Sequence, residues 1–201
     1  MTGCSAGTGI RANLSTVSMT GNIQLQPCLG NERVALLPLQ PSHYDALYAV
    51  AADPGIWEQH PAKERSTPEG FAVFFREALE CGSAFVILDA SSGEVIGTSR
   101  FKPSAEWPWA VEIGWTFLAR KYWGGLYNRA VKALMIEYAF RYFEVILFYI
   151  DRNNFRSRKA VEKIGAQLIF NPDGQVLRLR TPDTVIYALH KSGSLQQAGS
   201  Q

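Results

Sequence analysis

Two adjacent glycines, Gly124 and Gly125, stand directly before a long amphipathic segment. The first turn of a helix leaves about four backbone N–H groups without intrahelical partners and carries a partial positive charge. Glycines ahead of that turn leave the backbone accessible, so an anion such as phosphate can bind these donors. A tight turn that only joins a strand to a helix is the alternative. The sequence contains neither a G-x-x-x-x-G-K-[ST] nor a G-x-G-x-x-G pattern.

A carboxylate lies on the segment before this turn. Residues 109–118 (WAVEIGWTFL) alternate as a strand does. Glu112 falls on one face between Ala110 and Gly114, whose small size leaves room for a ligand. We interpret Glu112 as a candidate general base, with an ion-paired carboxylate on a solvated sheet face as the alternative. The predicted opposite face contains Trp109, Val111, Ile113, Trp115 and Phe117.

A second polar pattern follows a strand predicted at Val145–Ile150 from its length and its β-branched and aromatic content. The helical segment after it has the form N-x-x-S-x-x-x-x-E-K-x-G. Asn154 is its first residue, Ser157 is its serine and Gly165 is its last residue. Glycine at the end of this segment is typical of a helix terminus.

The surrounding elements predict one α+β domain. Their order is β-α-α-β-β-β-α-β-α-β, which indicates a mixed, mainly antiparallel sheet packed by helices. A further strand is predicted near Val176–Arg180. A chain of 201 residues, 47% of them hydrophobic, suffices for one core. We predict a disordered leader at 1–22, a domain at 23–190 and a disordered tail at 191–201.

Composition argues against several classes of protein. The net charge is only +2 and the basic residues are scattered, so we expect no nucleic-acid partner. Three cysteines without metal-ligand spacing indicate no metal site and a reducing, cytoplasmic location. No apolar run approaches the roughly 20 residues that span a bilayer, so we expect no membrane partner.

The block from Glu112 to Gly165 resembles the GNAT superfamily of N-acetyltransferases, in the branch that includes the ribosomal-protein N-terminal acetyltransferases. Its specific parts are VEIGWTFLARKYWGG and the N-x-x-S helix. The resemblance extends from about Arg33 to Leu189. It implies a single GNAT-like domain with a mostly antiparallel twisted sheet flanked by helices. It also implies acetyl-CoA as co-substrate, without a metal.

The resemblance further implies which residues hold acetyl-CoA. In that family a turn of the form [QR]-x-x-G-x-[GA] binds the pyrophosphate through its backbone amides. Lys121 takes the Gln/Arg position, Gly124 takes the first glycine position, and Leu126 replaces the second small residue. Gly125, one residue earlier, can compensate. The candidate cofactor-binding residues are Lys121, Trp123, Gly124, Gly125, Leu126, Asn154 and Ser157, with Asn154 on the pantetheine arm.

Acetyl transfer to an amine needs a proton acceptor, a polarised thioester carbonyl and a stabilised thiolate. Glu112 is the candidate base. A backbone N–H at a strand distortion near Gly114 to Thr116 is the candidate carbonyl donor. Ser157 is the candidate proton donor to the sulfur, with stabilisation of its own helix as the alternative. Arg156, Arg158 and Lys159 either attract the 3′-phosphate of CoA or form a solvated basic face.

The acceptor is a small-molecule or peptide amine that the sequence does not specify. Glu58 and Glu64 weakly favour cationic acceptors. His60 lies in the same loop as a candidate proton shuttle or an ordinary surface residue. A non-catalytic acyl-CoA-binding or sensing module on the same fold is the alternative function, and a homodimer is compatible with the resemblance.

Overall fold

The computed structural model describes residues 23–171, 176 and 181–191. Within these residues, strands β1 to β8 span Leu29–Gly30, Val34–Pro38, Ala84–Asp89, Val95–Pro103, Ala110–Leu118, Val145–Asp151, Gln167–Leu168 and Thr184–His190. Helices α1 to α4 span Tyr44–Ala51, Pro68–Glu80, Leu126–Ala139 and Phe155–Glu162. The predicted leader 1–22, nearly all of the predicted tail 191–201 and most of the strand predicted at Val176–Arg180 lie outside the described residues.

The eight strands join one sheet in the order β1-β2-β3-β4-β5-β6-β8-β7. Every neighbouring pair is antiparallel except β5 and β6, which run parallel. The predicted single α+β domain with a mostly antiparallel sheet is therefore confirmed. The parallel pairing joins only Ala110–Glu112 to Val145–Leu147. Beyond these residues no ladder pair connects β5 and β6, so the sheet opens there.

Helices cover both faces of the sheet, because each strand buries side chains on both sides. We call the two sides the α3–α4 face and the α1–α2 face. The core of the α3–α4 face includes Val111, Ile113, Val131, Met135, Ile146 and Val161. The core of the α1–α2 face includes Leu47, Phe71, Phe74, Ala78, Val86 and Phe117.

Helix α2 begins with local signals that the sequence displays. The Thr67 hydroxyl accepts a hydrogen bond from the Gly70 N–H (3.2 Å), and Pro68 is the first helical residue. Such an N-cap satisfies one of the amides that the first turn leaves without a partner. The same helix then buries Phe71, Phe74, Phe75 and Ala78.

The predicted alternation along β5 is correct as far as Ile113 and wrong beyond it. Trp115 and Thr116 together lie opposite Ser99 alone, because the pairing with β4 shifts by one residue. Trp115 has a φ of 52°, and this distortion is a β-bulge. After the bulge the two faces exchange. Trp115 and Phe117 therefore pack on the α1–α2 face, whereas Thr116 turns toward α3.

Candidate active site

The glycine turn lies directly before α3, as predicted. Gly124 and Gly125 have φ angles of 91° and 146°, which favour glycine. Apart from the adjacent residues in the chain, a Cβ added at either position would meet no atom within 4 Å. Gly125 is the N-cap of α3, and no described side chain caps the first-turn amides. The turn therefore presents N–H donors and the positive end of the helix dipole on an open surface.

Two side chains flank this turn. Leu126 is 62% exposed and does not fill the space above Gly124, so its size leaves the glycine backbone accessible. The Lys121 ammonium pairs with Glu94 (Nζ–Oε2 2.7 Å), and the Tyr122 hydroxyl donates to the same carboxylate (2.9 Å). The hydrogen bond to Glu94 raises the pKa of Lys121. A phosphate contact from Lys121 would have to replace this ion pair.

Glu112 lies where the sheet opens. It is the last β5 residue that pairs with β6, opposite Leu147, and it is only 4% exposed. Its Oε1 is 3.0 Å from the position that a Cβ would take at Gly114. The missing side chain of Gly114 thus gives the carboxylate its space. Glu112 is on the α1–α2 face, because it alternates with the α3–α4 residue Val111.

The strand distortion predicted near Gly114 to Thr116 is present as the bulge at Trp115. A bulge takes backbone groups out of the regular ladder. In addition, β5 has no ladder partner on its β6 side beyond Glu112. Edge amides of β5 therefore face the opening, where they can bind a carbonyl oxygen or an extended ligand.

Asn154 and Ser157 lie at the start of α4, just after β6. Asn154 is buried, and its Oδ1 accepts a hydrogen bond from the Ser157 N–H (3.1 Å). Asn154 is therefore the N-cap of α4, and Ser157 contributes its backbone amide rather than a capping hydroxyl. Both residues stand beyond the carboxyl end of β6, which forms the second wall of the opening.

Trp123 connects the glycine turn to α4. Its indole N–H donates to the Leu118 carbonyl (2.8 Å), and the Arg156 guanidinium stacks 4.0 Å from its ring centroid. Arg156 also donates to the Ile56 carbonyl (2.8 Å) in the segment between α1 and α2. Arg158 is likewise hydrogen-bonded within the protein. Two of the three basic residues predicted to attract a phosphate thus have partners inside the fold.

Comparison with known proteins identifies the family. A family profile described as an acetyltransferase (GNAT) domain matches residues 33–167. The chain belongs to the GNAT acetyltransferase family. No curated protein matches it.

Several solved structures share the GNAT fold. A probable GNAT-family acetyltransferase from Chromobacterium violaceum has a TM-score of 0.69 at 21% identity, over 94% of this chain and 97% of that chain. Mycobacterium smegmatis RimJ in complex with CoA-disulfide has a TM-score of 0.60 at 17% identity, over 88% and 91%. The ribosomal-protein-S5-alanine acetyltransferase from Vibrio fischeri has a TM-score of 0.58 at 18% identity, over 84% and 98%. At these identities the likeness concerns the fold alone.

The described residues fit acetyl-CoA, the co-substrate of GNAT acetyltransferases. The open glycine backbone before an uncapped helix fits a pyrophosphate. The opening beside the β5 edge fits an extended arm that carries amide groups. Among the described residues no group of three or more His, Cys, Asp or Glu could hold a metal ion. No described helix is long and apolar enough to cross a bilayer.

Two buried basic residues of this GNAT chain, Lys132 and Arg100, were not predicted from the sequence. Lys132 on α3 is 7% exposed, and its Nζ donates to the Thr116 hydroxyl (2.9 Å). Burial lowers the pKa of Lys132 to about 7. A signal was available, since Lys132 precedes the buried Met135 by three residues and so shares its helical face. Arg100 on β4 is 6% exposed, and no local pattern marks it.

His60 is unsuited to the predicted role of proton shuttle. Its Nδ1 accepts a hydrogen bond from the Ala62 N–H (3.0 Å), and its ring packs against Trp57 (5.6 Å between centroids). Burial is the main cause that lowers the pKa of His60 to about 4, and Arg65 contributes. The imidazole is therefore neutral near pH 7, with its proton on Nε2, and it is a weak base.

A cavity of about 570 Å³ lies between α1 and residues 119–121. Two ion pairs, Asp53–Arg120 and Glu94–Lys121, stand at its wall. Glu112 does not line this cavity. None of the described residues that line this cavity belongs to β5 or β6.

Proposed function

We propose that this chain is an N-acetyltransferase that moves the acetyl group of acetyl-CoA directly to an amine. The observation that carries the proposal is the buried Glu112 at the point where β5 and β6 part, beside the bulge and facing the α1–α2 side. The amine is that of a small molecule or a peptide, and the cytoplasm is the proposed location. Placement in the ribosomal-protein N-terminal acetyltransferase branch rests on the pattern of the glycine turn and the N-x-x-S helix, and RimJ and the S5-alanine acetyltransferase have the same fold.

The first requirement of the reaction is a neutral amine. An amine with a pKa near 10 is about one part in a thousand neutral at pH 7, which costs roughly 4 kcal/mol. Glu112 accepts the proton, directly or through a water molecule. Its position on the sheet face beside Gly114 leaves the acceptor space on the α1–α2 side.

The second requirement is stabilisation of the charge that develops during transfer. The amine nitrogen bonds to the thioester carbonyl carbon, and edge amides near Trp115 donate to the resulting oxyanion. The attacking nitrogen gives its second proton to water, the C–S bond breaks, and CoA leaves as a thiolate. Water returns a proton to the thiolate, directly or through the Ser157 hydroxyl, which is reprotonated as it donates. The glycine turn holds the pyrophosphate, and Asn154 positions the pantetheine arm.

The experiment combines binding and turnover. Calorimetric titration with acetyl-CoA is followed by an amine panel that is monitored by release of the CoA thiol. We expect Glu112→Gln to lower kcat by ~10²-fold or more with an unchanged Kd for acetyl-CoA. Glu106→Gln, at an exposed position, is the matched control. Near-normal turnover by Glu112→Gln would exclude Glu112 as the base. Tight binding without turnover on any amine would favour the acyl-CoA-binding module.

A further inference from the structure

The α1–α2 face carries positive charge next to Glu112. On β4, Lys102 lies directly opposite Glu112, and Arg100 lies directly opposite Gly114. Residues that face each other across an antiparallel pair project from the same side of the sheet. Arg100 and Glu112 are therefore diagonal neighbours, and the backbone positions of such residues are typically about 7–8 Å apart. Gly114 adds no side chain between them.

Arg100 is buried without a full set of acceptors. Its guanidinium carbon lies 3.8 Å from the ring centroid of Trp115, the bulge residue. One of its terminal nitrogens donates weakly to the Glu77 carbonyl (3.3 Å), and the guanidinium also lies near the Cys81 thiol, whose pKa it helps to lower. Its Nε has no hydrogen-bond partner, and no ion pair within the described ranges includes it. A buried charged donor without an acceptor is costly, unless a ligand supplies that acceptor.

A second guanidinium lies close to the first. Arg65, in the short turn Lys63–Ser66, stacks 4.8 Å from the ring centroid of Phe74, and Arg100 is 5.9 Å from the same ring. Burial is the main cause that lowers the pKa of Arg65. The Glu64 carboxylate partly offsets it, the charge of Arg100 adds to it, and the Glu77 carboxylate offsets it further. The ion pairs of the described residues do not include Arg65 either. Two partly or fully buried cations thus share the Phe74 ring, and one of them, Arg100, is on the strand that pairs with the Glu112 segment.

We propose that the acceptor carries a carboxylate as well as its amine, and that Arg65 and Arg100 bind this carboxylate while the amine faces Glu112. The proposal rests on the proposed N-acetyltransferase function. Guanidinium groups bind carboxylates through paired, charge-assisted hydrogen bonds. A free amino acid carries its amine and its carboxylate on one carbon, which suits a cation and a carboxylate that are diagonal neighbours on one face of the sheet. Glu58 and Glu64, which favoured a cationic acceptor, are both exposed.

Matched acceptor pairs test the inference. Each proteinogenic amino acid is compared with its primary amide, which lacks the negative charge and has an amine of lower pKa. Rates are therefore measured over a pH series and compared per neutral amine. Spermidine represents a polycationic amine. Thiol release gives kcat/KM for every compound. We expect at least one amino acid to exceed its amide by ~10-fold or more, as one charge-assisted hydrogen bond allows. Equal or better turnover of the amides, or a preference for spermidine, would overturn the inference and leave acetyl transfer intact.

Variants then test the residues. Arg65→Gln should raise KM for the preferred amino acid ~10-fold or more, and should leave KM for its amide and Kd for acetyl-CoA unchanged. Lys63→Gln, an exposed change on the same turn, is the control. Arg100→Gln should act in the same way, with its fold checked by circular dichroism. An equal loss on the amino acid and the amide would exclude a carboxylate contact.

A failure of catalysis is distinguishable from a failure of this site. If no amine is acetylated, the proposed function is wrong. The binding of acetylated amino acids then tests separately whether Arg65 and Arg100 bind a carboxylate. N-acetyl amino acids and their amides are titrated calorimetrically in the presence of CoA. Tighter binding of the carboxylates, lost in Arg65→Gln, would support an anion site. Equal binding, or no binding, would overturn it.

Discussion

The buried lysine on α3 should destabilise the fold at neutral pH, and Lys132→Met should relieve that cost. Lys132 is 7% exposed, donates to the Thr116 hydroxyl and lies 5.6 Å from the ring centroid of Phe148 on β6. No charged group contributes to the shift of its pKa. Burial alone lowers it from 10.5 to about 7. Methionine has a similar length and no charge to bury.

The size of the effect follows from the two pKa values of Lys132. The difference between 10.5 in the unfolded chain and about 7 in the fold corresponds to ~5 kcal/mol against folding below pH 7. Between pH 7 and 10.5 the unfolded chain binds more protons, so the free energy of unfolding rises with pH. The slope approaches ~1.4 kcal/mol per pH unit. Loss of the hydrogen bond to Thr116 offsets ~1 kcal/mol. We expect Lys132→Met to be more stable than the parent chain by roughly 2–4 kcal/mol at pH 7.

Urea unfolding at pH 7, 8, 9 and 10 measures this difference. The advantage of Lys132→Met should shrink steadily as the pH rises, because the parent lysine loses its proton in the fold. Lys159→Met, on the exposed side of α4, controls for the general effect of removing one positive charge. A Lys132→Met variant that is less stable than the parent chain at every pH, or whose advantage does not change with pH, would refute the reasoning.

Three further perturbations address the glycine turn, the α4 cap and the loop histidine. Gly124→Ala should weaken acetyl-CoA binding ~10-fold or more, because a φ of 91° costs an L-residue about 1–2 kcal/mol and the Cβ enters the open face of the turn. An unchanged Kd by calorimetry, with Gly82→Ala as the control at another positive φ, would argue against a phosphate site. Asn154→Ala should lower the free energy of unfolding by ~1 kcal/mol, since the N-cap is lost. Asn154→Ala should also weaken the binding of CoA more than the binding of a nucleotide fragment that lacks pantetheine. Equal losses of affinity in titration would show that Asn154 does not contact the pantetheine arm. His60→Gln should keep turnover within about twofold from pH 6 to 8, because the lowered pKa makes the imidazole a weak base. The parent chain should lose stability as the pH falls from 6.5 toward 4, and His60→Gln should lose less. A tenfold fall in turnover would instead indicate that the imidazole takes part.

Local signals made much of the fold predictable. Thr67 and Pro68 mark the start of α2 through a cap and a fixed φ, which act within a few residues of the chain. The glycine turn, the buried strand β6 and the Asn154 helix are similarly local. The single mixed sheet then follows from the order of the elements.

The features of the fold that the sequence did not predict depend on pairing between strands that are distant in the chain. The bulge at Trp115 arises because two residues of β5 lie opposite one residue of β4. The sequence of either strand alone does not show that difference in length. The bulge reverses the side of the sheet that Trp115 and Phe117 occupy. The burial of Arg100 likewise results from α2 and the Trp115 ring covering it. Strand alternation alone could not reveal either neighbour.

The short pairing of β5 with β6 also has a mechanical consequence. It divides the sheet into an N-terminal block, β1 to β5, and a C-terminal block, β6 to β8, whose strands pair with each other only along the ladder from Ala110 to Glu112, although one core packs against both. Backbone amides along such a seam should exchange with solvent sooner than those inside either block. A molecule that contacts both β5 and β6 beyond this ladder would stabilise the contact between the two blocks. Co-substrate binding should therefore slow the exchange of the amides along this seam more than that of amides inside either block.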